Sequence, residues 1–282
     1  MKPQFKHELM TSFMLWFDHE LLQEGEAYSN QTGKLFYDDD SRLPSSYKAY
    51  ASSYKQWVTD SSINGSANPV IPTSFNGNSR SNDIIFDFEN GRIIETGGAF
   101  GTDETLTGTF AVKDFNVYLT NDTEEDLIIE NKLQLNSRYA QNASGVKPYD
   151  QMVPAIFLNS EFMQNEGFAF GGEDKTTNII KAVVLAENSY QLDGVLSIFA
   201  DSTRKVVPKI PFSGHPSTEY GDLKGGSYNY TSLKNTYSSS NPYYIEDVTV
   251  SKFSDRAQSK IPGDLRVGFI DFEVSTFRFP RS

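Results

Sequence analysis

One dipeptide, Asn90-Gly91, constrains the fold of this chain more than any other feature, because it separates two extended patterns. Apolar side chains occupy every second position over residues 84–88, and residues 92–95 resume an extended pattern after the dipeptide. Asn-Gly favours a type I′ turn, which needs positive φ at both central residues. The sequence therefore predicts a β-hairpin here, within a β-meander that covers residues 84–119.

The second half of this meander carries two more runs of alternating apolar side chains, over residues 106–112 and 115–119. The apolar phase flips near Asp114. A shift of one residue moves every side chain of a strand to the other face of its sheet. A β-bulge or a break is therefore expected at Asp114.

The composition indicates a folded, aromatic-rich chain without thiol chemistry. The chain has 282 residues, with 21 Phe, 15 Tyr and no Cys. Its length is enough for a sizeable core, and we expect residues 1–282 to form a single domain. The lack of cysteine excludes disulfides and thiolate metal sites.

The charge balance argues against nucleic-acid recognition. The formal net charge is −12, and Lys and Arg form no basic run. Tight phosphate binding needs clustered Lys and Arg. The charge excludes a typical DNA reader but is compatible with a surface past which DNA slides without sticking.

The N-terminal segment has a helical pattern over residues 4–24, with Pro3 at its start and Gly25 at its end. Its apolar side chains cover a wide arc, and two of them, Leu15 and Leu22, lie on the far side. Such a helix is either sandwiched inside its own domain or has one side against another subunit.

A second firm pattern is a strand over residues 177–186, apolar on both faces, followed by a helix over 189–202. A strand of this kind is usually central and covered on both sides. Asn188 or Ser189 can cap the helix. Four apolar positions fit its core-facing stripe: Leu192, Val195, Leu196 and Phe199.

The remaining patterns are shorter. They indicate strands over 153–158, 244–252 and 267–277 and helices over 45–58 and 124–138. Together the elements predict a mixed α/β (α+β) fold: a twisted, largely antiparallel sheet flanked by two or three helices, with long loop insertions. Val183 and Phe272 are expected in its core.

Few aliphatic side chains occur in two segments, residues 59–83 and 213–242. This composition predicts that both segments are extended arms. Fixing each backbone residue costs about 1–2 kcal/mol. Segment 213–242 cannot offset this cost alone, but its tyrosines can if they pack on a neighbour. We therefore expect it to be ordered by partner chains, with a floppy surface loop as the alternative.

The search for chemistry gives no catalytic, cofactor-binding or metal-binding residues. The acidic triplet at residues 38–40 lacks the spacing of a calcium loop and is expected to be a solvated turn. His7, His19 and His215 are not spaced as metal ligands. The glycine-rich stretch 97–101 precedes a strand rather than a phosphate-binding helix. The many acidic residues leave a carboxylate pair of a hydrolase as an open alternative.

Three stretches together resemble virion structural proteins of tailed bacteriophages, from the neck or tail-completion group. They are Phe13-Met14-Leu15-Trp16-Phe17-Asp18-His19-Glu20-Leu21-Leu22 with Gly25-Glu26-Ala27-Tyr28, Phe115-Asn116-Val117-Tyr118-Leu119-Thr120-Asn121 with Glu124-Glu125, and Ile180-Lys181-Ala182-Val183-Val184-Leu185-Ala186 with Leu192-Asp193-Gly194-Val195-Leu196-Ser197-Ile198-Phe199. The order helix, sheet, strand, helix is also similar to that of tail terminators.

This resemblance implies a non-enzymatic assembly protein, a tail terminator or head–tail connector in a homo-oligomeric ring of six or twelve copies. It implies contacts with other neck, portal or tail proteins, and DNA passing through without specific binding. Residues 59–83 and 213–242 would be insertions on that plan. The rivals are a virion-borne hydrolase and a receptor- or carbohydrate-binding module.

No signal-peptide pattern and no bilayer-spanning apolar run is present in the sequence. We therefore expect a protein of the virion that is assembled in the host cytoplasm, with no membrane association and no cofactor.

Overall fold

The computed structural model describes residues 4–63, 74–75, 78–79, 84–97, 101, 106–130, 135–137, 151–216, 227–238, 241–253 and 265–279. These residues form an α+β fold with two main sheets, which confirms the predicted class. The largely antiparallel strands divide into two main sheets, because the N-terminal strands form a sheet of their own.

The helices and strands are, in chain order, α1 (Phe5–Glu24), β1 (Tyr28–Asp38), β2 (Lys48–Ser52), β3 (Ser74–Phe75), β4 (Asn78–Ser79), β5 (Ile84–Asp87), β6 (Arg92–Glu95), β7 (Leu106–Lys113), β8 (Asn116–Leu119), a π-helical turn (Asp126–Glu130), β9 (Leu135–Ser137), β10 (Gln151–Val153), β11 (Ala155–Gly167), β12 (Asp174–Ala186), α2 (Ser189–Ala200), β13 (Val206–Val207), a 3₁₀ turn (Phe212–Gly214), α3 (Tyr230–Thr236), β14 (Tyr243–Lys252) and β15 (Arg266–Arg278).

The two main sheets differ in position along the chain. The first has the order β5-β6-β2-β1-β7, and the second has the order β13-β14-β15-β12-β11-β8. Every pairing in both sheets is antiparallel except β8 with β11. The first sheet therefore comes from the N-terminal part of the chain, and the second is completed by the C-terminal strand.

The predicted hairpin is confirmed, but its turn type is wrong. β5 and β6 pair, with Asp87 opposite Arg92, so the loop has four residues rather than two. Among these four, Gly91 alone has positive φ, at 61°. The Asp87 carboxylate accepts hydrogen bonds from Asn90 and Arg92, which stabilises the longer loop. A Cβ on Gly91 would lie 1.8 Å from the Tyr54 carbonyl oxygen.

The predicted meander over residues 84–119 is wrong in its pairing. β6 pairs with β2, whereas β7 pairs with β1 at the opposite edge of the first sheet. The break expected near Asp114 is confirmed, because β7 belongs to the first sheet and β8 to the second. The change of apolar phase thus marks the point where the chain crosses between sheets.

Helix α1 is buried on nearly all sides. Phe13 and Trp16 pack in the main core against the second sheet. Leu22 instead packs with Val58 and Ala111 beside the first sheet. Of the two interpretations of its wide apolar arc, the helix sandwiched inside its own domain is confirmed.

The strand–helix unit over 174–200 agrees closely with its prediction. β12 lies in the middle of the second sheet and pairs with β11 and β15. One of its faces lies in the main core, and the other packs in a smaller cluster that contains Val183. Asn188 caps α2 by accepting a hydrogen bond from the backbone of Gln191. The buried residues of α2 are those predicted.

The two weakest helix predictions are wrong in large part. Residues 48–52 of the segment 45–58 form β2, because β1 and β6 pair with it on both sides. Of the described residues in the segment 124–138, residues 124–130 are helical and residues 135–137 form β9, paired with β10. Cross-strand pairing, which local spacing does not reveal, overrides helical spacing in both places.

The described part of the arm 213–242 packs on its own domain. Tyr230 is 1% exposed, and Tyr228, Leu233 and Tyr237 pack against the main core. For residues 227–238, the expectation of order imposed by partner chains is therefore wrong. Residues 217–226 and most of the arm 59–83 lie outside the described residues.

Candidate functional site

The acidic triplet belongs to an ion cluster around Arg92. The guanidinium contacts Asp38, Asp40 and Asp87 at 2.8–2.9 Å, and its side chain is 5% exposed. Arg42 adds a second pair to Asp40. The expected solvated turn is wrong for Asp40, whose side chain is 6% exposed. The cluster joins β1, the loop after it and the β5–β6 hairpin.

Hydrogen bonds lower the pKa of several carboxyls. Hydrogen bonds from Arg42, and then from Arg92, hold the pKa of Asp40 well below its usual range. For Asp60, burial alone would raise the pKa, but hydrogen bonds from His19, Ser62 and the Tyr230 backbone lower it overall. The pKa of Glu246 is lowered as well, because burial would raise it but hydrogen bonds from Lys175 and Ser275 outweigh that effect.

These shifts predict a loss of stability in acid. A carboxyl whose folded pKa lies below its unfolded value, ~3.9 for Asp, contributes full stability above that value and loses it as the pH falls through the folded pKa. Urea unfolding at pH 7, 4 and 3 is expected to show a falling free energy of unfolding below about pH 4. Asp40→Asn is expected to show a smaller fall, and an unchanged stability at pH 3 would contradict the assignment.

A second cluster lies where α1 meets residues 59–63 and 227–230. His19 Nδ1 lies 2.7 Å from Asp60 Oδ2, and the His19 ring packs on Tyr230 at 4.4 Å between centroids. The other carboxylate oxygen of Asp60 accepts hydrogen bonds from Ser62 and from the backbone N–H of Tyr230. Asp60 is fully buried. It therefore ties two loop segments to α1.

This arrangement predicts that Asp60→Ala loosens residues 227–238. The substitution removes the acceptor of the Tyr230 and Ser62 hydrogen bonds, and buried donors left without a partner cost about 1–3 kcal/mol. Limited proteolysis is expected to give faster cleavage within 227–238 than in the wild type. The matched control Asp193→Ala removes an exposed carboxylate paired with Lys252 and should leave cleavage unchanged. Equal cleavage of both variants would contradict the prediction.

A third buried ion pair joins α1 to β7. Lys113 Nζ contacts both carboxylate oxygens of Asp18 at 2.7–2.8 Å. A cavity of about 100 Å³ beside the pair is lined also by Gln56, Trp57 and Tyr228. Its lining is part polar and part apolar, and its small size fits a few water molecules rather than a substrate.

A larger cleft lies between the C-terminal half of α1, β13 and the end of α3. Its volume is about 480 Å³, and Glu20, Glu24, Lys205 and Tyr237 contribute to its walls. Glu20 is paired with Lys205. Trp16 also borders the cleft but is 2% exposed, so it offers no face for stacking a sugar ring.

The histidines do not converge in the structure. His7 closes a capping box at the start of α1, His19 contacts Asp60, and His215 is buried after the 3₁₀ turn. Within the described ranges, no group of three or more His, Asp and Glu side chains is placed to hold a metal ion. Residues 98–100 of the glycine-rich stretch 97–101 lie outside those ranges.

The most exposed apolar surface is the end of the β11–β12 hairpin, residues 161–173, which we call the hairpin end. Every residue from 161 to 172 is exposed. Phe162 is 53% exposed, Phe168 is 61% exposed and Phe170 is fully exposed. Exposed aromatics on a chain with few aliphatic surface residues indicate a surface for contact with another molecule.

The hairpin end also has an open sheet edge. β8 covers β11 along Ala155–Leu158, but from Phe162 to Gly167 β11 pairs with β12 alone among the described strands. Such an edge presents unpaired backbone N–H and C=O groups to a further strand. The sequence analysis missed this site. Its sequence signal is Phe168-Ala169-Phe170 next to Gly167, Gly171 and Gly172, which place aromatics in a turn.

The described helices include none that is long and apolar enough to cross a membrane. Searches of the sequence against models of known protein families and against curated proteins found no match.

Proposed function

We propose that this chain is a non-enzymatic assembly subunit of a tailed-bacteriophage virion, located at the head–tail junction as a neck or tail-terminator ring component. The observation that carries the proposal is the hairpin end. It combines exposed aromatic side chains with an open strand edge, and both are features of surfaces that bind other protein chains. The resemblance of residues 13–28, 115–125 and 180–199 to neck and tail-completion proteins supports the position.

The polar clusters support a structural role. Arg92, Lys113 and His19 each contact carboxylates that belong to a different element. Such contacts hold elements together and leave no activated nucleophile in the described clusters. The net charge of −12 is compatible with DNA passing a ring lumen without binding to it.

A virion-borne hydrolase is the weaker alternative. Its best location is the cleft that contains Glu20 and Glu24, which lie one helical turn apart on α1. The Glu20 carboxylate is already engaged by Lys205, whereas a glycosidase needs both carboxyl groups to face the scissile bond. The buried Trp16 further reduces the sugar-binding surface. The cleft therefore gives little support to hydrolysis.

The proposal is tested by locating the protein on virions. Gold-labelled antibodies raised against the purified chain are expected to mark the junction between head and tail in electron micrographs. Labelling of tail fibres or of a trimeric spike would instead support a receptor-binding module. Glycan degradation by the purified chain that is lost in Glu20→Gln would support the hydrolase.

A further inference from the structure

We propose that copies of this chain join edge to edge, the open edge of β11 in one copy adding to the open edge of β14 in the next. The second sheets of the copies then form one continuous sheet, which is antiparallel where the copies join. This inference rests on the proposed function, because it names the partner of the hairpin end as a second copy of the chain.

The second sheet has two open edges of equal length. On one side, β11 is open from Phe162 to Gly167. On the other side, β13 covers only Tyr243 and Tyr244, so β14 pairs with β15 alone from Asp247 to Lys252 among the described strands. Each edge offers six residues. Adding a strand to such an edge satisfies its main-chain hydrogen-bonding groups.

The strand directions suit a ring. β14 is antiparallel to β15, β15 to β12 and β12 to β11, so β14 and β11 run in opposite directions within one copy. A rotation about an axis inclined to the strands by the roughly 35–45° that is usual in barrels keeps neighbouring strands close to their original directions. β14 of the next copy therefore meets β11 as an antiparallel partner. The two edges differ, so the contact is heterologous, which generates closed rings when the rotation closes.

The two edges lie at opposite ends of the sheet. The open part of β11 is level with residues 273–278 of β15, and the open part of β14 is level with residues 268–273. Neighbouring copies are therefore staggered along the strands by five to six residues, or roughly 17–20 Å. Stagger and strand tilt are what a sheet needs in order to close into a barrel.

One register fits the side chains best. With Gln164 of one copy opposite Ser251 of the next, equivalent faces of the two sheets lie on the same side. Within one copy, Gln164 is level with Ser275 of β15, and Ser251 is level with Phe269 of β15. Ser275 and Phe269 lie on one face of β15, so the two pairing residues also lie on one face. Phe162 then lies opposite Phe253, an aromatic cross-strand pair. A shift of two residues would place Glu166 opposite Asp247, and like charges in that position destabilise a sheet.

The first experiment blocks the edges one at a time. One variant carries Phe162→Lys and Gln164→Lys on β11, and the other carries Thr249→Lys and Ser251→Lys on β14. All four residues are exposed, so the fold should remain intact, which circular dichroism checks. In analytical ultracentrifugation the wild type is expected to form closed rings and each variant to be monomeric. An equimolar mixture of the variants is expected to give a dimer and nothing larger, because each retains one intact edge.

Rings formed by either variant alone would overturn the inference. A mixture that stays monomeric would also overturn it, since the intact edges would then not recognise each other. A wild-type chain that stays monomeric while antibodies still mark the head–tail junction would overturn the inference and leave the proposed function standing.

The second experiment tests the register by cross-linking. The natural chain has no cysteine, so the double variant Gln164→Cys/Ser251→Cys has thiols only at the predicted contact. Mild oxidation is expected to give a ladder of disulfide-linked oligomers on non-reducing gels. The matched control Gln164→Cys/Val250→Cys places one thiol on the opposite face of the sheet, and its ladder should be at least about tenfold weaker. Equal ladders would overturn the register.

Discussion

Phe272→Ala is expected to lower the free energy of unfolding by about 3–5 kcal/mol, the usual cost of truncating a buried Phe. Phe272 is fully buried in the middle of the second sheet. Its ring contacts four aromatic rings at centroid distances of 5.1–6.2 Å: Phe13, Trp16, Phe17 and Phe199. Truncation leaves a cavity that α1, α2 and β15 all border, so no single element can move to fill it.

Urea unfolding followed by tryptophan fluorescence measures this loss, because Trp16 packs on Phe272. The matched control is Phe170→Ala at the hairpin end, where the ring is fully exposed, and its effect should stay within about 0.5 kcal/mol. Similar losses in the two variants would show that Phe272 does not occupy the centre of the core.

Arg92→Ala is expected to cost about 3 kcal/mol, the lower end of the range for breaking a buried ion pair. The substitution leaves Asp38, Asp40 and Asp87 close together without their shared cation. The lower end applies because Asp38 and Asp87 are about one-fifth exposed and water partly screens them. Arg42→Ala, which removes an Arg side chain that is 56% exposed, should cost no more than about 1 kcal/mol.

The pH dependence of the Arg92 variant provides a further check. Hydrogen bonds from Arg42 and then from Arg92 lower the pKa of Asp40 in the wild type, so the stabilising effect of Arg92 on Asp40 is present above the unfolded pKa of ~3.9 and is lost as Asp40 protonates. The stability difference between wild type and Arg92→Ala should therefore shrink between pH 6 and pH 3. A constant difference would show that the cost comes from lost packing rather than from charge.

The elements predicted best are those whose pattern is local. Residues 5–24 and 189–200 have helical periodicity together with a cap or a terminating glycine. Residues 174–186 have apolar side chains on both faces, and this pattern is typical of a central strand whatever its partners are. In each case the information lies within about twenty neighbouring residues, so tertiary structure did not need to be known.

The first sheet was not predictable in the same way. β1 has one buried residue, Leu35, in a strand of eleven, and such a polar strand gives little signal. In β2 and its neighbours, tyrosines spaced three or four apart imitate a helix, yet β1 and β6 pair with β2. Pairing partners that are distant in sequence determine both strands, and periodicity does not report them.

The candidate site could be predicted from the sequence even less well than the first sheet. An open edge exists because β8 is short and covers only part of β11, and strand order decides this rather than any residue within β11. The ion cluster of Arg92 likewise depends on the β5–β6 hairpin, which brings Asp87 next to Asp38 and Asp40. The acidic triplet at residues 38–40 alone shows clustered carboxylates, but it does not show that Arg92 pairs with them.

The contact between α1 and β15 has a consequence for synthesis on the ribosome. Phe13 and Phe272 pack together but are roughly 260 residues apart in sequence. At about 5–20 residues per second, translation needs roughly 13–50 seconds to travel from one to the other. During that interval the helix that carries Phe13 has no β15 against which to pack. We therefore expect the main core to be completed only after residue 272 has left the ribosome.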